Sequence, residues 1–313
     1  MSDARSPRSN AEVDARTKAS VQKLSRLSSL AMASTSLPID SATAVEVEAA
    51  SSRHIPKTTI ILIRHGARYD YADQKRWKER CEALALEPSD PPLSALGHRQ
   101  ARETAAAVAE LPRFDWEKPD LILASPYLRV LQTAQPLAHA LGLPIMVEHC
   151  AAELHHTPAK VPPPSARVPF IPEVDETYVP ILDRDCRGLD EDGKEPAVAY
   201  FRRLLLLAHD LRTEYEGRTV AIYSHAASVA LVGALTGCAT LAEAGKFAPC
   251  GIWRLASSDG GATWAVEATG DHNDPHVTEN DGTTYPWGFS DSRKHAEMEA
   301  AWSEAIKLGP AEV

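Results

Sequence analysis

The sequence predicts an α/β protein, a three-layer sandwich with helices on both faces of a mostly parallel central sheet. Three observations carry this. Thr58-Thr-Ile-Ile-Leu-Ile63 is an unbroken apolar, β-branched run of the kind that fills a strand buried on both faces. Shorter runs of the same character recur at Leu121–Ala124, Ile145–Glu148, Thr219–Tyr223, Ile252–Ala256 and Trp264–Ala268. Segments with helical periodicity lie between most of them, and that alternation is the signature of a sheet wound with helices.

Taken in chain order, residues 1–56 are rich in Ser, Ala and scattered charge, and are expected to be largely disordered, with a short helix over Val13–Leu30. After the first strand, Ser94 reads as the N-cap of a helix over Ala95–Leu111. Further helices are predicted over Tyr127–Leu141, Pro196–Tyr215, with Leu204–Leu207 as its core face, and Ala226–Leu235. Residues 155–196 break the alternation with Pro158, Pro162, Pro163, Pro164, Pro169, Pro172 and Pro180. That stretch is expected to be an ordered, Pro-rich lid over one end of the sheet. Residues 57–270 would then form the main domain. Residues 271–313 would form an extension, irregular over Gly270–Ser292 and closed by a helix over Arg293–Lys307.

Composition narrows the function. Apolar residues make up 44% and charged residues 24% of 313, enough for a sizeable core. A net charge of −10 argues against general nucleic-acid binding, which wants a basic face. It also makes any cluster of arginines informative, because it stands against the field of the whole chain. No apolar run reaches membrane-spanning length, and the N-terminus lacks the apolar core of a secretory signal. Its Arg, Ser and Ala content has a transit-peptide flavour that Asp3, Glu12 and Asp14 count against. The five cysteines are odd in number and never paired as CxxC, so they read as reduced thiols, and a cytoplasmic location is the expectation.

Chemistry-bearing residues collect where strands end. Arg64-His65-Gly66-Ala67-Arg68 follows the first strand directly, Ser125 and Arg129 follow the second, Glu153 the third, and His225 the fourth. In open α/β sheets ligands bind beyond the carboxyl ends of the strands. Guanidinium groups hold phosphoryl oxygens in bidentate fashion, and a neutral imidazole nitrogen is a competent nucleophile towards phosphorus. A second imidazole and the start of the helix after it suit the same anion. A carboxylic acid is then needed to protonate the leaving oxygen; Glu153 is the best-placed candidate, with Glu148 a competitor. His155 and His156 read as a solvated loop pair and form no metal signature, while Asp175 and Tyr178 read as scaffolding of the insertion.

Arg64-His65-Gly66, Leu93-Ser-Ala-Leu-Gly97-His-Arg-Gln100-Ala101, Ser125-Pro-Tyr-Leu-Arg129-Val-Leu-Gln132-Thr-Ala134 and Ser224-His225-Ala226-Ala-Ser228 together resemble the histidine phosphatase (phosphoglycerate-mutase-like) superfamily. The resemblance runs from about Thr58 to Ala268 in the family's order. Within it, the chain is most similar to the phosphatase domain of the TULA (suppressor of T-cell receptor signalling) proteins and to ecdysteroid-phosphate phosphatases. Arg64 to Asp70 resembles their R-H-G-E-R-x-D, Val174 to Pro180 their V-D-x-x-Y-x-P, and Val147 to Glu153 their V-E-P-G-L-F-E. The upstream ubiquitin-associated and SH3 modules of TULA proteins are not expected here.

The resemblance implies a phosphoglycerate-mutase-like fold and hydrolysis of phosphate monoesters through a phosphohistidine on His65. By it Arg64, Arg68, Arg129 and His225 bind phosphate and Glu153 donates the proton, with no metal and no cofactor. Phosphotyrosine in a phosphoprotein or a small phosphate ester would be the substrate, with no nucleic-acid or membrane partner, and a homodimer is common in that superfamily. Ala67 departs from the pattern where those proteins carry Glu; His149-Cys-Ala-Ala replaces the loop before the acid, and Leu154 stands in place of an aromatic. Ala67 and Arg68 also differ from mutases and sugar-bisphosphate phosphatases. Ala226 differs from the secreted acid phosphatases, which place Asp after the second histidine. A phosphoglycerate-type mutase and a weakly active phosphate-recognising module are the alternatives.

Overall fold

The computed structural model describes residues 55–110, 117–184, 188–280 and 286–311. The expectations of disorder over residues 1–56 and of a helix over Val13–Leu30 concern residues that, up to His54, lie outside this set.

Strand β1 (Thr58–Arg64) is the centre of the molecule. Ile60, Ile61, Leu62 and Ile63 are all 0% exposed; burying each stabilises the fold by about 1.5–3 kcal/mol. Successive side chains of a strand face opposite ways, so Ile60 and Leu62 join one core cluster and Ile61 and Ile63 the other. The two cores are the two interfaces of a three-layer sandwich.

The remaining strands are β2 (Leu121–Ala124), β3 (Ile145–Val147), β4 (Thr219–Ser224), β5 (Ile252–Ser257) and β6 (Ala265–Ala268). Their order is β3-β2-β4-β1-β5-β6. Strands β1 to β4 pair in parallel, and β5 runs antiparallel to β1 and to β6. The fold is therefore the mostly parallel α/β sandwich that the sequence predicts. The reversal of β5 follows from where the chain re-enters: the Cys250 N–H donates to the carbonyl of Arg64 (3.1 Å), so β5 starts at the end where β1 finishes.

Two helices follow β1 that the sequence reading did not assign, α1 (Tyr69–Ala72) and α2 (Gln74–Leu84). The signal was present. Asp73 caps α2 by accepting from the Arg76 N–H, and Trp77 and Cys81, four residues apart, are its buried stripe. Next come α3 (Ala95–Ala109), whose cap Ser94 accepts from the Gly97 N–H as expected, and α4 (Leu128–Leu141). Then come α5 (Ala197–Thr213), α6 (Ala230–Thr236) and α7 (His295–Leu308). The helix expected from Ala226 opens as a 3₁₀ turn over Ala226–Val229. Helices α3 and α4 cover one face of the sheet and α5, α6 and α7 the other.

The Pro-rich insertion packs against the β3 edge. The Ile145 N–H donates to Glu173 O (2.7 Å) and the Asp175 N–H to Ile145 O (2.9 Å), while Val161, Ile171 and Val174 enter the core. Trp287, beyond β6, pairs with Phe247 in an antiparallel bridge.

Candidate active site

His65 leaves the sheet at the end of β1, and its N–H still donates to Ser224 O of β4 (3.0 Å). Its ring Nδ1 lies 2.8 Å from Gly66 O. A carbonyl accepts only, so Nδ1 carries the proton and Nε2 keeps its lone pair. Burial, then the charges of Arg129, His225 and Arg64, hold the His65 pKa well below its ordinary value, and the ring is neutral.

The loop that carries His65 lies tightly on the start of α3. A Cβ on Gly66 would sit 2.8 Å from Gly97 O, and one on Gly97 would sit 2.1 Å from Ala67 O. Only glycine permits that approach at either position. Side chains then satisfy the loop's backbone: Ala67 N–H donates to Gln100 Oε1 (2.9 Å) and Gly66 N–H to Thr133 Oγ1 (3.2 Å). Gln132 does the same for the Leu93 N–H (2.8 Å). Gln100, Gln132 and Thr133, part of the sequence motifs, thus shape the loop.

Three arginines surround the imidazole. Arg64 is 8% exposed and donates from Nη1 to Phe247 O (2.6 Å). Burial lowers its pKa to about 10, which leaves it charged at neutral pH. Arg129 is buried, with its guanidinium carbon 4.5 Å from the Tyr127 ring centroid and its Nε without an acceptor among the described residues. An orphaned buried donor of that kind is costly unless an anion arrives to accept from it. Arg68 is engaged: its fork grips Asp70 through Nε (3.0 Å) and Nη2 (2.7 Å), and its guanidinium lies 4.3 Å from the Tyr71 ring centroid.

His225, at the end of β4, is 0% exposed, and its ring centroid is 5.4 Å from that of His65. One tetrahedral anion can bridge such a gap. The Nε2 of His225 meets Ser125 Oγ at 2.7 Å, and its Nδ1 is 3.2 Å from Glu153 Oε2. Arg129 Nη2 closes the triangle, 3.4 Å from Glu153 Oε2 and 3.2 Å from the same Nδ1. Burial pushes the His225 pKa down to about 4, against the pull of Glu153. For Glu153, burial alone would raise the pKa, but His225, Arg129 and His65 hold it well below the carboxylate range.

The acid loop separates the two glutamates that the sequence left in competition. Glu153 faces the cavity. Glu148 is buried in scaffolding, accepting from the Cys150 N–H (2.9 Å), the Ile181 N–H (2.8 Å) and the Tyr178 hydroxyl (3.0 Å). His156 is not a solvated partner of His155: it is 0% exposed, with Nδ1 3.3 Å from the Tyr127 hydroxyl, because the insertion folds back over it. His155 is exposed at the cavity mouth.

Sequence reasoning missed Arg203. On α5 it forms a buried ion pair with Glu195 (2.5 and 2.7 Å). It also donates to the carbonyls of Cys150 (2.6 Å), Ala152 (3.0 Å) and Glu153 (2.9 Å). One guanidinium thus fixes the backbone of the loop that presents Glu153. Nothing in its helical context, Arg202-Arg203-Leu204, distinguishes it from a solvated neighbour.

The site opens into a cavity of about 830 Å³ whose lining includes Arg64, His65, Arg68 and Glu153. Arg129 and His225 sit beneath Glu153. The ligand atoms of His65, Glu153 and His225 lie within 4.8 Å of one another, a spacing that fits a metal ion. The Arg129 guanidinium already contacts two of these side chains, and its charge opposes a cation there. An anion is the better match. Among the described residues no helix is long and apolar enough to cross a membrane, and Cys81, Cys150, Cys238 and Cys250 form no disulfide.

Arginines and paired histidines at the carboxyl edge of an α/β sheet form an arrangement suited to an oxyanion. Residues 60–271 match the model of the histidine phosphatase superfamily (branch 1), and the chain belongs to that family. Membership supports a phosphatase activity in general terms. An uncharacterized phosphatase, PhoE, of Bacillus subtilis is 30% identical over 49% of this chain and 72% of its own length. The transcription factor tau 55 kDa subunit of Saccharomyces cerevisiae is also 30% identical, over 33% of this chain; the match spans only 22% of that protein. The fold is shared with the ecdysone phosphate phosphatase from Bombix mori in complex with tungstate, at a TM-score of 0.51 and 22% identity, covering 71% of this chain and 94% of the other.

Proposed function

We propose that this chain hydrolyses phosphate monoesters in two steps through a phosphohistidine on His65, with no metal. The observation that carries the reading is the state of His65: a buried neutral ring, its Nδ1 proton held by Gly66 O and its Nε2 free, set among arginines. In the first step Nε2 attacks phosphorus, the P–O ester bond breaks, and the leaving oxygen takes a proton from Glu153. In the second, water attacks the phosphohistidine, gives a proton to Glu153 and releases inorganic phosphate. Arg64, Arg68, Arg129 and His225 hold the phosphoryl oxygens.

Glu153 is a carboxylate before substrate binds, because the Arg129 guanidinium and the contact with His225 stabilise its charge. A phosphate dianion competes for the same guanidinium and donor and weakens that stabilisation, so the carboxyl gains affinity for a proton when substrate is bound. Arg68 must then divide its donors between Asp70 and the substrate. A phosphotyrosine or a small phosphate ester fits the reading.

The test is turnover of aryl and alkyl phosphates in EDTA by wild type and by His65→Ala. Wild-type activity should survive chelation, and the variant should lose at least about 10³-fold in kcat. Acid-labile, base-stable label on His65 after rapid quenching is the direct signature. Loss of turnover on chelation would remove the metal-free step.

A further inference from the structure

The family-matched stretch ends at residue 271, yet the chain returns to the site beyond it. Pro286, Trp287 and Asp291 line the same cavity as Arg64, His65 and Arg68. Trp287 is held in register with the phosphate cradle by one shared atom. The carbonyl oxygen of Phe247 accepts from Arg64 Nη1 (2.6 Å) and from the Trp287 N–H (3.2 Å), and the Phe247 N–H returns a bond to Trp287 O (2.8 Å). The indole is braced from behind by Phe289, ring centroids 5.0 Å apart, and Phe289 is 0% exposed. Trp287 itself is half-buried and contributes to the cavity wall.

A phosphoryl group fills a small part of about 830 Å³; cavities of this order hold whole drug-sized molecules. The lining carries the cationic Arg64 and Arg68, and Tyr71, Leu154, Pro286 and Trp287 add an apolar stretch to it. Lys246 and Asp291, also in the lining, are paired with each other (2.9 Å). A small hydroxylated leaving group would leave the indole wet and gain nothing from it. A flat apolar group would bury it and stack on it.

Resting on the reading that the phosphoryl group sits over Arg64 and His65, we propose that Trp287 determines specificity, selecting esters whose leaving group is a flat apolar ring. The test is calorimetric binding of two non-hydrolysable compounds, naphthylmethylphosphonate and methylphosphonate, to wild type, Trp287→Leu and Trp287→Phe. Leucine keeps an apolar contact with Phe289 but loses the flat face; phenylalanine keeps one. Wild type should prefer the naphthyl compound. The affinity ratio should fall about tenfold in the leucine variant and largely persist in the phenylalanine variant.

No preference in wild type, or one ratio shared by all three proteins, would overturn the proposal. So would an equal loss of the ratio in both variants, which would mean that the residue only supports Arg64. Turnover by wild type and His65→Ala judges the parent reading separately, since the binding ratio does not depend on hydrolysis.

Discussion

The Pro-rich insertion over residues 155–196 and the C-terminal segment beyond residue 271 look alike in sequence, both irregular and rich in turn formers, but they are anchored in opposite ways. The insertion is tied down by buried charge. The side chains of Arg203 and Glu195 are 1% and 2% exposed, and those of Arg167 and Asp90 8% and 5%. The ion pairs of the C-terminal segment lie at the surface instead: Lys246–Asp291 at 47% and 42%, and Arg99–Glu279 at 47% and 60%. A buried pair is costly to break and fixes geometry, while an exposed one contributes little. The protein thus spends rigid anchors on the loop that presents Glu153, and sets Trp287 by backbone bonds and packing.

The strongest way to break this contrast is Arg203→Met. It leaves Glu195 buried without its partner and frees the acid loop. A stability loss of about 3–5 kcal/mol is expected in denaturant unfolding. Replacing Glu195 by Leu in the same chain should recover most of the stability. If Arg203 positions Glu153, the double variant will still hydrolyse alkyl phosphates far more slowly relative to p-nitrophenyl phosphate than wild type does, because only the alkoxide needs the acid. An equal loss on both esters would make Arg203 a structural anchor alone.

Acid should loosen the same region. Burial first, then Arg203, pushes the pKa of His149 down to about 4 and that of His156 to about 2; His225 falls to about 4 by burial. In the unfolded chain these rings take up protons near pH 6.5. Between there and about pH 4 the unfolded state binds more protons, so stability is full above pH 6.5 and is lost as pH falls. Each ring steepens that loss by up to about 1.4 kcal/mol per pH unit. Urea midpoints at pH 7.5, 6 and 5 measure it, and His149→Gln should flatten the slope.

Smaller effects sharpen the picture. Tyr178→Phe removes one donor from the buried Glu148 and should cost about 1.5 kcal/mol, read from thermal and urea unfolding together. Lys246→Met breaks only an exposed pair and should shift stability by less than about 1 kcal/mol. A larger shift would show that the C-terminal segment depends on charge after all.

The residues themselves explain which parts were legible. Strand β1 and the cap Ser94 were readable because burial on both faces and a side-chain oxygen at a helix start are local demands. That Arg64, His65, Arg129 and His225 come together was readable because Arg64 closes β1, His65 and His225 follow β1 and β4, and Arg129 opens the helix just past β2, and strand ends meet at one edge. Helix α2 was missed although Asp73, Trp77 and Cys81 marked it. His156 was misplaced because its burial depends on a fold-back of the insertion that no local pattern records.

Sequence alone determined the layers, the strand ends and the cluster of cationic and imidazole groups there, since periodicity and strand direction act over a few residues. Tertiary structure decided which glutamate meets the cavity, what holds its loop, and which aromatic ring walls the site. Those are contacts between segments distant in the chain, Arg203 with Cys150 and Glu153, and Trp287 with Phe247. Each is set by where packing brings the chain back, which only the folded molecule contains.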